Sequence, residues 1–124
     1  MEPMGIMVYG YGREEALRIQ EALQGALGQE ISLISSSGME ELPVGDILDR
    51  GESSLFEAGE TKILMFLGFD DGSISQALEA FPRKSEMARP IFCGLTDENI
   101  DWKLSALLEH LEEEHRYWMQ RENS

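Results

Sequence analysis

The stretch "IMVYGYGREEALRIQEALQGALG", Ile6 to Gly28, decides the fold, because the hydrophobic period changes inside it. Ile6 to Tyr9 is a short continuous apolar run of the kind a buried strand requires. After Gly10-Tyr11-Gly12 the apolar residues Ala16, Ile19, Leu23, Ala26 and Leu27 recur at helical spacing. Gly28 ends that helix, since glycine adopts the left-handed cap without steric cost. The segment therefore reads as strand, turn, helix.

The same plan continues outward. Ile31 to Ser35 reads as a second strand, and Met39 to Asp49 contains a short helix with Val44, Ile47 and Leu48 on one face. A polar connector, 51–61, follows. Ile63 to Leu67 is a third strand and "GFDDGS" a turn, and Ile74, Ala77, Leu78 and Phe81 form the inner face of a third helix. Ser73 with Gln76 fits a capping box at its start, and Pro82 closes it. Pro90 to Gly94 is a fourth strand. A long last helix is predicted from about Asp97 to at least Trp118, with Thr96 as its N-cap.

The two halves resemble each other. Shifted by 58 residues, Met7, Gly10, Glu21 and Ala22 fall on Met65, Gly68, Glu79 and Ala80, and Tyr11 falls on Phe69. The expectation is one α/β domain over residues 1–124, built as a duplicated βαβα unit with half-repeats at about 5–50 and 62–118. Its four-stranded sheet is mostly parallel, in the order 2-1-3-4, with helices on both faces and a long C-terminal helix.

In such a sheet ligands settle beyond the carboxyl ends of the strands, where the winding reverses. The candidate ligand site is therefore Gly10, Tyr11 and Gly12 from one half with Gly68, Phe69, Asp70 and Asp71 from the other. Phosphate does not suit it. A dinucleotide fingerprint needs a third glycine where Glu15 stands, and no P-loop lysine follows. Glu14 and Glu15 fill the first turn of the helix, where a bound anion would need positive potential. The glycines read first as turn-formers and the aromatics as packing residues. Acids at a helix start are ordinary dipole partners, so no metal and no cofactor is expected.

Other chemistry is sparse. Cys93, the single cysteine, excludes an intrachain disulfide and reads as a core thiol. His110 and His115 are five apart, so they do not share a helix face as zinc ligands four apart would. Glu112-x-x-His115 has the spacing of one half of a di-iron carboxylate site, but a second copy is missing. No Gly-x-Ser-x-Gly elbow occurs. The reading is non-enzymatic.

Charge is the unusual property. Twenty-four acids against ten bases give a net charge of −14. A solvated surface accounts for it; docking to a basic partner, or mimicry of a nucleic-acid backbone, is the sharper reading. Nucleic acid and anionic membranes are poor partners for such a field. The N-terminus lacks a basic leader and no apolar run reaches the roughly 18 residues of a membrane span, so a cytoplasmic protein is expected. Tyr117 and Trp118, near the end of the last helix, are candidate interface residues for a protein partner or a homodimer.

The run "LTDENIDWKLSALLEHLEEE" resembles the C-terminal part of an uncharacterised bacterial domain-of-unknown-function family. The carrying residues are Gly68 and Phe69, then Thr96, Asn99 and Trp102, then Leu104, Leu107 and Leu108. Asp97 stands where many members have proline. The resemblance covers about Ile63 to Glu114 and implies a fold without implying an activity. On physical grounds Thr96 and Asn99 organise a turn, and Trp102 either anchors the helix or lines a ligand pocket. The leading function is an acidic protein-interaction module. The alternative is a small-molecule or metal-binding regulatory domain with its site at the two Gly-aromatic turns.

Overall fold

The computed structural model describes residues 4–51, 53, 55–83 and 87–122, with side chains as far as Tyr117. The chain runs through β1 (Met4–Tyr9), α1 (Arg13–Leu27), β2 (Ile31–Ser35), α2 (Val44–Arg50), β3 (Ile63–Leu67), α3 (Asp71–Ala80) and β4 (Ile91–Gly94). A 3-10 turn (Asn99–Asp101) then leads into α4 (Leu104–Glu122).

The strands form one sheet in the order β2-β1-β3-β4, as the crossover argument expects. The β1–β2 and β3–β4 pairs are parallel. The central β1–β3 pair is antiparallel, with Gly5 opposite Leu67 and Tyr9 opposite Ile63. The sheet is thus mostly parallel, but the two βαβα runs point in opposite directions.

Alternation along the strands divides the core into two. Met4, Ile6, Val8, Ile31, Leu33, Leu64 and Phe66 face α1 and α3, where Ala16, Ile19, Leu23 and Ala77 complete one cluster. Met7, Ile34, Ile63 and Met65 face the other way, onto Val44 and Ile47 of α2 and Leu104, Leu107, Leu108 and Leu111 of α4. Helices therefore cover both faces. Ile19, Ile47, Ile63 and Leu104 have no exposed surface, and burying each such side chain is worth about 1.5–3 kcal/mol before entropy is counted.

Helix ends follow their local chemistry. Gly28 caps α1 with φ 67°, its N–H donating to Gln24 O at 2.9 Å. The expected capping box at Ser73 is displaced by three residues. Asp70 is the N-cap of α3, and its Oδ1 accepts from Ser73 N at 2.7 Å. Aspartate wins because it sits where the chain leaves extended geometry, whereas Ser73 is already helical.

The last helix also starts later than Asp97. Thr96 and Asn99 bond reciprocally: Thr96 N donates to Asn99 Oδ1 at 2.8 Å, and Asn99 N to Thr96 Oγ1 at 3.0 Å. Asn99 Nδ2 also donates to Gly94 O at 3.0 Å. These bonds hold a tight turn ahead of the 3-10 segment, whose N-cap is Glu98, so Thr96 caps no helix and α4 begins only at Leu104.

Candidate functional site

Because β1 and β3 are antiparallel, their carboxyl ends lie at opposite ends of the sheet along the strand direction. The Gly10-Tyr11-Gly12 turn emerges beside the chain entering β3, and the Gly68-Phe69 turn emerges beside the start of β1. At the usual strand rise the two are about 20 Å apart. The single site expected from both turns is therefore two separate places.

At the first place the turn is sealed by the connector. Gly10 has φ 88°, and a Cβ there would lie 2.0 Å from Thr61 O. Gly59 N donates to Gly10 O at 3.0 Å, and Lys62 Nζ donates to the same carbonyl at 3.1 Å and to Gly59 O. Tyr11 is buried, its hydroxyl donating to Ala88 O at 2.6 Å. The glycine permits close approach of backbone to backbone, in the position where a phosphate cradle would stand open.

Next to it, a hollow of about 130 Å³ lies between Tyr9, Gly38, Glu40, Glu57 and Gly59. Tyr9 donates its O–H to Glu40 Oε2 at 2.7 Å. That bond, partial burial and nearby carboxylates push its phenol up to about 12. Ser37 Oγ accepts from Glu57 N at 3.1 Å, and Ser35 Oγ donates to Leu55 O, so the connector is tied across the ends of β1 and β2.

At the second place Gly68, Phe69 and Asp70 line a broad cleft of about 530 Å³ with Met4, Gln29 and Gln76. Phe69 packs on Phe66, ring centroids 4.9 Å apart. Asp70 is held below the usual carboxylate range by its hydrogen bonds from Ser73, helped by Gly72. Asp71 is an exposed first-turn residue of α3. No group of three or more histidine, cysteine or acidic residues placed to hold a metal occurs among the described residues.

Trp102 belongs to neither place. It is half-buried against the α2–α4 core, with its ring edge-on to His110 at 5.2 Å, and its carbonyl accepts from Val44 N at 2.8 Å. Burial pushes the Cys93 thiol up to about 12, which keeps it protonated and a poor nucleophile. His110 Nε2 lies 3.1 Å from Glu114. Tyr117 is exposed, and the Trp118 side chain lies outside the described residues.

A third cleft, of about 310 Å³, is one the sequence reading misses. It opens between the end of the connector, the approach to β4 and the far half of α4, lined by Glu60, Lys62, Arg89, Glu112, His115 and Arg116 together with Thr61, Ala88 and Ile91. Its cations are scattered over 55 positions of sequence, so no local motif announces them. Only the side-by-side placement of β3, β4 and α4 collects them. Another flank has the opposite sign: Asp46, Asp49, Asp101, Glu109, Glu113 and Glu114 are all exposed along α2, the 3-10 turn and α4.

Residues 62–118 match a domain of unknown function, DUF3783. The matched segment begins with Lys62, just before β3, and ends within α4, so DUF3783 covers the second βαβα run and most of the cationic cleft. No curated protein and no solved structure matches the chain. No helix among the described residues is long and apolar enough to cross a membrane.

Proposed function

We propose that this protein is a non-enzymatic interaction module whose α2–α4 flank docks a basic protein partner in the cytoplasm. The observation that carries the reading is the run of exposed carboxylates on that flank: Asp46, Asp49, Asp101, Glu109, Glu113 and Glu114. The cations on the same elements are few. Lys103 already pairs with Glu41 at 3.6 Å, Arg50 sits in the last turn of α2, and Arg116 of α4 lines the cleft. A field of one sign steers an oppositely charged partner and repels nucleic acid and anionic membrane. The helix supports the same reading, since among its described side chains Leu111 is the last that is buried and residues 113–117 are exposed. Tyr117, 56% exposed, favours a second reading in which two copies pair through the ends of α4. Two chains of −14 repel each other, so the basic partner ranks first.

The test compares two charge-reversed proteins in capture from host lysate. One carries Asp46→Lys, Glu109→Lys and Glu113→Lys; the control carries Glu14→Lys, Glu21→Lys and Glu79→Lys on α1 and α3. A partner retained by the natural protein and the control, and lost only from the first variant, is the expected result. Equal loss from both, or from neither, overturns the proposal.

A further inference from the structure

The cleft between the connector, β4 and α4 reverses the sign of the protein around it. Three of the ten lysines and arginines and one of the two histidines line it. Lys62 is fixed: two of its three N–H groups are taken by Gly10 O and Gly59 O, which leaves the third for the cleft. Arg89 lies with its guanidinium carbon 5.1 Å from the centre of the Phe92 ring and 5.8 Å from that of Phe81, stacking that leaves its N–H edges available. Neither Arg89 nor Arg116 has an ion-pair partner among the described residues. Arg89 and Arg116, without ion-pair partners among the described residues in a chain otherwise crowded with acid, carry an electrostatic cost that an anion relieves.

The two carboxylates refine the ligand. Glu112 Oε1 already accepts from Thr61 Oγ1 at 2.8 Å, and Glu60 is exposed at the rim. Both repel a bare anion, yet both accept bonds from hydroxyl groups. Ala88 and Ile91 supply an apolar wall, and about 310 Å³ is the lower end of the range for small-molecule clefts. We propose that this cleft binds a phosphorylated polyol of sugar-phosphate size. Arg89, Arg116 and Lys62 hold the phosphoryl dianion, and Glu60 and Glu112 accept from its hydroxyls. This is independent of the basic-partner reading, which concerns another surface.

The experiment titrates the protein with glucose 6-phosphate, inorganic phosphate and glucose, at ionic strength matched with sodium chloride, and follows backbone amide resonances. Expected are saturable shifts at Lys62, Arg89 and residues 112–116, larger for glucose 6-phosphate than for inorganic phosphate and absent for glucose. Arg89→Ala and Arg116→Ala each weaken binding about tenfold or more. Both positions are exposed, so unchanged circular dichroism certifies the fold. Glu60→Gln weakens the sugar phosphate and leaves inorganic phosphate unchanged. Shifts no larger than those from chloride, or an affinity in both arginine variants unchanged from that of the natural protein, overturn the site. Equal binding of inorganic and sugar phosphate overturns the polyol.

Discussion

Met7 lies directly opposite Met65 at the middle of the β1–β3 pairing, flanked by Ile6 against Phe66 and Val8 against Leu64. The 58-residue shift that aligns the two halves of the chain pairs the same two methionines. The pairing is antiparallel, so the chain leaves β1 at one end of the sheet and β3 at the other. Gly10 and Gly68 each follow the last residue of a central strand and are remote in space for that reason.

Gly10 is where the connector and the first turn meet with no room to spare. Gly10→Ala is expected to cost roughly 2–4 kcal/mol, because its φ is 88° and the new Cβ would meet Thr61 O at 2.0 Å. Gly25→Ala is the control. Nothing lies within 4 Å of that added Cβ, and Gly25 is inside α1, so stability is expected to rise by about 0.5–1 kcal/mol. Urea unfolding of the two variants checks the contrast in sign.

The Thr96–Asn99 turn tests the tight entry into α4. Asn99 is buried and its side chain makes two hydrogen bonds, from Thr96 N and to Gly94 O, so Asn99→Ala is expected to cost about 2–3 kcal/mol, and Thr96→Ala, which loses the bond from Asn99 N, about 1 kcal/mol. If both substitutions prove equal in chemical denaturation, the Asn99 bond to Gly94 contributes nothing.

Stability at high pH depends on Tyr9. The fold raises its phenol from 10.0 to about 12 through the bond to Glu40, so it favours the protonated form. The sign follows from linkage: this contribution is complete below the unfolded value and disappears as pH rises through the folded one. Tyr11, raised chiefly by burial, acts in the same direction. The denaturation midpoint is expected to fall between pH 10 and 12, and less steeply in Tyr9→Phe.

Cys93 is expected to be inert in the folded protein. With its thiol pushed up to about 12 by burial, labelling by an aromatic disulfide near neutral pH is expected to be about tenfold slower or more than in denaturant. Equal rates in the two states contradict the burial argument.

Much of the architecture is legible in local pattern. The apolar runs beginning at Ile31 and Ile63 are strands over the residues read for them, and Gly28 caps α1 as its lack of a Cβ allows. Boundaries set by side-chain competition are less legible. Ser73 and Thr96 both look like helix starts, and the residues that decide each case, Asp70 and Asn99, lie three positions away. The site was less legible still: the sequence points to two glycine turns, and the structure separates them.

Period-two alternation, period-3.6 stripes and glycine caps are local properties of covalent geometry, so the sequence by itself determined the α/β class, the element order and the two-faced burial. The direction of β3 is different. A strand presents the same alternating faces whether its neighbour runs with it or against it, and a connector over 51–61 has no pattern that favours either sense. Only the tertiary structure decided it, through the packing of two opposed βαβα runs across Met7 and Met65. That same decision moved Gly68 away from Gly10 and brought Lys62, Arg89 and Arg116 together, because charges far apart in the chain become neighbours only when strands and helix are set side by side.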